Sequence, residues 1–155
     1  MSRFDGRLRG EKSSRCYVCG PDNPYGLQVA FERDGERGSR AIYRAREEHE
    51  GWKGILHGGV TFCLMDEALG WCLFYQGIGA VTTKIETRFV KPVPIDSEVI
   101  VRAWVVRNRK RLYEAHAEVC MNNAEMMVLA EADAVMVAMS TDEESTLNME
   151  VMEVR

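Results

Sequence analysis

The sequence has no long apolar run, and no stretch approaches the ~18 consecutive apolar residues that a transmembrane helix requires. It also has no excess of basic residues: 20 Lys and Arg against 24 Asp and Glu give a net charge of −4, which argues against a general nucleic-acid-binding protein. The N-terminal stretch is charged and lacks the apolar core of a signal peptide. We therefore expect a soluble, cytoplasmic protein with no membrane and no nucleic-acid partner.

Internal repeats and low-complexity segments are also absent, and 155 residues are about the length of one domain. Hydrophobic residues make up 46% of the chain, which is enough for a core. The two ends differ in charge. This pattern predicts a flexible basic N-terminus over residues 1–15, a folded domain over 16–140 and an acidic tail over 141–155.

Cysteine is odd in number, with five residues: Cys16, Cys19, Cys63, Cys72 and Cys120. Three of them lie in apolar surroundings, so a disulfide framework is not expected and a reducing compartment fits better. The Cys16-x-x-Cys19 pair has an alternative interpretation as half a zinc site or a redox pair. Because His49 and the other cysteines show no ligand spacing with this pair, we favour a role in packing the turn and predict no metal site.

One segment indicates a long helix. From Val60 to Tyr75 an apolar run is interrupted only by Thr61, Asp66, Glu67 and Gly70. Sixteen residues without proline are too many for a strand, so a helix is predicted, and its apolar character around most of the circumference predicts burial on nearly all sides. Two adjacent carboxylates in such a helix are costly unless they are paired or used.

The remaining segments alternate with a period of two, which is typical of strands with one wet face. Strands are predicted at residues 27–33, 38–45, 81–90, 98–108, 112–121 and 126–139. Short turns between the later runs predict an antiparallel meander. The expected fold class is α+β, with an antiparallel sheet of about five or six strands wrapped around one long buried helix. Since so small a sheet leaves edges exposed, an oligomer is expected.

The stretch that carries chemistry is His57-Gly58-Gly59, at the start of the predicted helix. Glycines at a helix start expose backbone N–H groups that carry partial positive charge and can hold a developing oxyanion. Asp66 follows two and a half turns later, whereas Glu67 points ~100° away from it. The alternative interpretation is a tight loop-to-helix turn, with Asp66 or Glu67 forming an ion pair across a subunit contact.

Several motifs resemble those of the hotdog-fold acyl-CoA thioesterases, in particular the PaaI-like branch. They are the HGGV sequence of residues 57–60 with Asp66 in the following helix, the CYVCG segment 16–20, the NPYGL segment 23–27 and the RFVKP segment 88–92. The resemblance covers roughly residues 16–139. It implies the hotdog fold, thioester hydrolysis to a free acid and coenzyme A, and a homodimer or homotetramer with sites shared between subunits.

The resemblance also implies roles for individual residues. Asp66 matches the helix carboxylate that acts as general base or nucleophile, and the backbone N–H of Gly58 matches the group that polarises the thioester carbonyl. His57 matches the motif histidine, with a structural or positioning role, and Thr82 matches a Ser or Thr that orients water. Some relatives carry Asn six residues before the His; Gly51 stands there in this chain, so that side-chain donor is absent.

Further residues are candidates for substrate binding. Gly59 adds a second exposed N–H, and Glu67 follows Asp66 as in some members of the branch, although a structural ion pair is the simpler interpretation. Basic residues suit the phosphates of coenzyme A; the candidates are Arg88 and Lys91 at a strand end, and Arg109 and Lys110 in a predicted hairpin turn, for which solvated positions are the alternative.

We therefore predict an acyl-CoA thioesterase. Hydrolysis with water and a carboxylate requires no cofactor. Three rivals stay open: a hotdog module that binds acyl-CoA without turnover, a small metal or redox protein built on Cys16 and Cys19, and a hotdog dehydratase.

Overall fold

The computed structural model of the chain describes residues 13–139. The predicted basic N-terminus and acidic tail fall almost wholly outside the described residues. In order along the chain the elements are β1 (Glu32–Asp34), β2 (Gly38–Arg44), a short 3-10 turn (Glu47–His49), α1 (Gly58–Phe74), β3 (Ala80–Phe89), β4 (Glu98–Arg109), β5 (Leu112–Met121) and β6 (Val128–Ala138).

All six strands form one antiparallel sheet in the order β1-β2-β4-β5-β6-β3. Strands β4, β5 and β6 are the predicted meander. Strand β3 does not continue it in sequence order, because the chain carries β3 to the far edge of the sheet, beside β6. The predicted α+β class with one helix on an antiparallel sheet is confirmed.

The predicted first strand is mostly wrong. Only Glu32–Asp34 pairs with β2, whereas residues 27–31 have no regular secondary structure. Leu27 and Val29 are buried, and the backbone N–H of each donates to a carbonyl of the Cys16–Cys19 segment, at Tyr17 and Val18. The apolar alternation therefore reflects packing of this loop against the core rather than a sheet partner.

Helix α1 lies against one face of the sheet. Its buried residues recur in neighbouring pairs four positions apart, which defines one face: Val60, Thr61, Leu64, Met65, Ala68, Leu69, Cys72 and Leu73. The sheet meets them with the inward residues that the alternation predicted: Val99, Val101, Ala103, Val105, Ala115, Ala117, Val119, Ala130, Ala132 and Ala134. Alanine on the central strands lets the helix approach closely.

The outer side of this helix is less buried in a single chain than the side that faces the sheet. Phe62, Asp66, Gly70 and Phe74, on its outer side, each keep part of their surface exposed. Within residues 13–139 no helix is both long and apolar enough to cross a membrane.

Candidate active site

A cleft of about 660 Å³ opens at the N-terminal end of α1. Its walls come from the loop before the helix, with Gly51 and Trp52, from the helix start at His57 and Gly58, and from the chain that leaves β3 at Phe89. Trp52 and Phe89 are large apolar side chains that stay 84% and 56% exposed, and they give the cleft apolar walls. The HGGV motif is thus part of a real concave surface.

His57 is the N-cap of α1, and its side chain shapes the helix start. Its Nδ1 accepts a hydrogen bond from the Gly59 N–H at 2.9 Å, and the backbone N–H of His57 donates to the carbonyl of His49 at 2.9 Å. A Cβ at residue 59 would lie 3.0 Å from His57 Nδ1, so a larger residue here would crowd the imidazole. The Gly59 N–H, which is a predicted substrate-binding group, therefore forms its hydrogen bond with His57.

His49, in the loop before α1, accepts the hydrogen bond from the backbone N–H of His57 and is itself held by a neighbouring side chain. Its Nδ1 and the hydroxyl of Tyr43 are 2.7 Å apart, and burial, with the nearby Arg46 charge, lowers the pKa of His49. Burial also raises the pKa of Tyr43, although Arg46 opposes that shift. Both groups are therefore held neutral, which suits a structural pair beneath the cleft.

Gly58 is the first residue of α1 and lines the cleft. The first N–H groups of a helix lack intrahelical acceptors and carry partial positive charge. A Cβ at this position would meet the Phe89 ring at 3.6 Å, an ordinary contact. The glycine is therefore not demanded by crowding, in contrast to Gly59.

Asp66 lies on the side of α1 that faces the start of β3. The hydroxyl of Thr82 donates to its Oδ1 at 3.2 Å. The register of β3 against β6 shifts between Thr82 and Lys84, and such a bulge re-aims side chains. As a result, the adjacent Thr83 is exposed and donates to the carbonyl of Val135 instead.

Asp66 does not line the cleft of its own chain. Eight residues separate it from Gly58, which corresponds to about 12 Å along the helix axis. A thioester carbon must lie ~3–3.5 Å from its attacking group, so one carbonyl cannot reach both positions within a single chain.

Glu67 points to a different neighbour, as its ~100° offset from Asp66 predicts. One of its carboxylate oxygens is 3.8 Å from the sulfur of Cys16 in the N-terminal loop. Within one chain Glu67 is therefore directed away from the cleft, although it is a candidate substrate-binding residue in the sequence.

The basic candidates are divided between two ends of the sheet. Lys91 lines the cleft, and Arg88, close by on β3, forms an ion pair with Glu131 of β6. Arg109 and Lys110 form the exposed turn between β4 and β5, beside the end of β6 and the start of β3, and so lie far from the cleft of the same chain.

Sequence reasoning missed the apolar walls of the cleft, Trp52 and Phe89. Both lie in segments that the motifs bracketed, and the available signal was an unpaired aromatic residue in a polar loop or at a strand end. It also missed the His49–Tyr43 pair, which no local spacing reveals. His116 lies on the outer face of the sheet, where its Nδ1 is 2.7 Å from Asp133 Oδ1 across β5 and β6.

Part of the chain is similar to known proteins. Residues 53–123 match the model of the thioesterase superfamily. The bovine acyl-coenzyme A thioesterase THEM4 is 29% identical over 75 residues, which cover 48% of this chain and 30% of that protein. The chain spans less than half the length of the curated relatives it matches.

Solved structures agree on the fold. The E. coli PaaI protein from the phenylacetic acid degradation operon superposes with a TM-score of 0.68 at 18% identity, covering 74% of this chain and 81% of that one. A Streptococcus mutans protein solved with bound acetyl-CoA gives a TM-score of 0.67 at 16% identity, covering 72% of this chain and 89% of that one.

The chain thus has the hotdog fold, and its residues 53–123 are similar to the thioesterase superfamily. The likeness to the PaaI structure shows the fold that the resemblance of the motifs implied.

Proposed function

We propose that the protein hydrolyses acyl-CoA thioesters, with Asp66 as the general base. The observation that carries this proposal is the hydrogen bond from Thr82 to Asp66 on a mostly apolar helix. Asp66 takes a proton from water as the water oxygen bonds to the thioester carbon. Collapse of the tetrahedral intermediate breaks the C–S bond, and the proton passes to the leaving coenzyme A sulfur.

The Gly58 N–H stabilises the oxyanion of that intermediate. It lies at the positive end of the α1 dipole and faces the cleft, where a carbonyl oxygen can reach it. Since Asp66 is ~12 Å away along the same helix, the reacting pair is Gly58 of one chain and Asp66 of a second copy.

Strand β3 supplies the geometry for such a pair. It is ten residues long, it is the last strand of the sheet, and most of its outer residues are exposed, which makes it an open edge for pairing. Two β3 strands paired antiparallel around a two-fold axis near Ile85 place Thr82 of one chain opposite Arg88 of the other. Asp66 of one chain then approaches the Gly58 end of its partner.

Lys91 is the basic residue that we assign to the phosphates of coenzyme A, because it lines the cleft directly. Arg88 already forms an ion pair with Glu131, so we assign it only an indirect contribution to the positive charge near the cleft. The bound acetyl-CoA of the Streptococcus mutans structure supports the ligand class.

One observation favours binding without turnover as the second candidate. Gly51 lies in the cleft directly beside His57, where a Cβ would be 3.1 Å from His57 Cα. The amide side chain that some relatives carry here is therefore absent, and the carbonyl relies on backbone donors. A single-turnover assay with a panel of acyl-CoAs separates the two: bound but unhydrolysed acyl-CoA identifies the binding module.

The role of Thr82 is tested with Thr82→Val, which keeps the shape and removes the hydroxyl. A hydrogen bond to a charged group contributes about 1.5–3 kcal/mol, so kcat should fall roughly 10–100-fold. Thr83→Val is the matched control, since this neighbour on β3 faces away from Asp66. Equal losses in the two variants would show that the strand, not the hydroxyl, is responsible.

The shared site requires an oligomer. Light scattering on the purified chain should give at least twice the 17.6 kDa of one chain at micromolar concentration. The open β3 edge and the partly exposed outer face of α1 are the surfaces that need cover. A stable monomer that still hydrolyses acyl-CoA would contradict the two-chain site.

A further inference from the structure

The second helix carboxylate, Glu67, meets two cysteines that the proposed hydrolysis does not use. The sulfurs of Cys16 and Cys19 and an oxygen of Glu67 all lie within 4.8 Å of one another, and all three residues are partly buried. We propose that these three residues bind one Zn²⁺ ion, which fastens the N-terminal loop to helix α1.

The loop holds both sulfurs at this spacing through a tight reversal. The Gly20 N–H donates to the carbonyl of Cys16 at 3.0 Å, and Asp22 donates to the carbonyl of Ser14 at 2.8 Å. A Cβ at Gly20 would lie 2.4 Å from the Cys16 nitrogen and 2.5 Å from its oxygen, so only glycine permits the turn. The backbone thus brings Cys16 and Cys19 together before any metal binds.

The donor set selects the metal. Two thiolates and one carboxylate suit Zn²⁺, whereas Mg²⁺ and Ca²⁺ prefer sites built entirely from oxygen. Three protein ligands leave the fourth tetrahedral position for a water molecule. The sequence spacing hides this site, because the third ligand comes from a helix far along the chain.

The electrostatics of the helix face favour a cation here. Cys63 lies one helical turn before Glu67, on the same face. Asp66, directly before Glu67 in the helix, adds a second carboxylate to this part of α1. A divalent cation bound at Cys16, Cys19 and Glu67 would offset this concentration of negative charge.

A Zn²⁺ ion would also explain why the loop is ordered. Residues 13–31 contain no helix or strand, yet Val18, Leu27 and Val29 are buried in the core. A metal link to α1 closes this loop at its start and stabilises only the folded state. This role is independent of thioester hydrolysis, so either proposal can fail without the other.

The test is metal binding by the purified, reduced full chain, measured without acyl-CoA. We expect one Zn²⁺ per chain in a competition titration, and a sulfur-to-metal charge-transfer band on Co²⁺ substitution. Cys16→Ser with Cys19→Ser should abolish the band. Glu67→Gln should keep the band but weaken Zn²⁺ affinity. Because Glu67 is proposed to bind the ion directly, the loss should exceed the roughly 10–100-fold that removal of an outer-shell partner causes.

The matched control is His116→Gln. His116, Glu118 and Glu131 form another cluster whose donor atoms lie within 4.8 Å of one another, on the outer face of the sheet. This variant should retain full Zn²⁺ binding. The proposal is overturned if the wild-type chain gives no thiolate band, if its affinity equals that of Glu67→Gln, or if His116→Gln loses the metal.

The melting temperature, Tm, provides a second measurement that also shows whether each variant is folded. Zn²⁺ should raise the Tm of the wild-type chain, and a chelator should reverse the shift, because a ligand of the native state stabilises it by mass action. Glu67→Gln, whose amide keeps the size of the carboxylate, should show a smaller shift. The same shift in both proteins would also overturn the proposal.

Discussion

Asp66→Asn should lower kcat for acyl-CoA hydrolysis by roughly 10²–10⁴-fold, the usual contribution of a general base. The amide keeps the shape of the carboxylate and can still meet the Thr82 hydroxyl, but it cannot take a proton from water. Binding of acyl-CoA should persist, because the change removes a negative charge near an anionic ligand. Steady-state kinetics and a binding assay on the same protein separate the two effects.

The comparison variant is Glu67→Gln, one residue along the same helix. Its side chain faces the Cys16 loop and not Thr82, so its effect on kcat should be much smaller. The two variants must be compared at matched folding and oligomeric state. Loss of activity in Glu67→Gln with near wild-type activity in Asp66→Asn would show that the assignment of the base is wrong.

Gly58→Pro should lower kcat by roughly 10²–10³-fold, the cost of removing one oxyanion donor. Proline deletes the backbone N–H and is well tolerated at the first position of a helix. The preceding residue must be extended, and His57 already has φ −58° and ψ 133°. The helix should therefore survive, which circular dichroism checks.

Gly58→Ala is the matched control because it adds a side chain and keeps the N–H. The added Cβ would lie 3.6 Å from the Phe89 ring, an ordinary contact, so the kinetic effect should be small. If alanine and proline reduce kcat equally, the side chain obstructs the cleft and the N–H is not the oxyanion donor.

The two large effects can be combined to test the shared site. In dimers mixed from Asp66→Asn and Gly58→Pro chains, one of the two sites contains both wild-type residues. Random assembly makes half of all dimers mixed, so co-refolding should restore about one quarter of wild-type activity. No recovery would contradict a site shared between Asp66 of one chain and Gly58 of the other.

Periodicity predicted the elements well where one face of each was buried. The helix, the β2 region and the four later strands were found within a few residues, because alternation or a continuous apolar run reports directly which side meets the core. The strand predicted for residues 27–33 was mostly wrong. Leu27 and Val29 are buried because the loop packs against the core, and this packing gives the same apolar alternation as a strand.

The site was predicted only as far as local chemistry reaches. Glycines at a helix start and an acid within an apolar helix are visible in the sequence, and helix geometry separates Asp66 from Glu67. Trp52 and Phe89 belong to segments distant in sequence, and they share one cleft only because β3 ends beside the start of α1.

The sequence by itself determined one apolar helix on an antiparallel sheet and the direction in which each candidate residue leaves the helix, because these follow from periods of 3.6 and 2. The tertiary structure decided what each residue meets. Asp66 meets Thr82 because β3 crosses to the sheet edge and bulges there, and Glu67 meets Cys16 because a glycine turn folds the N-terminal loop onto α1. Such contacts depend on chain crossings, which no local pattern encodes.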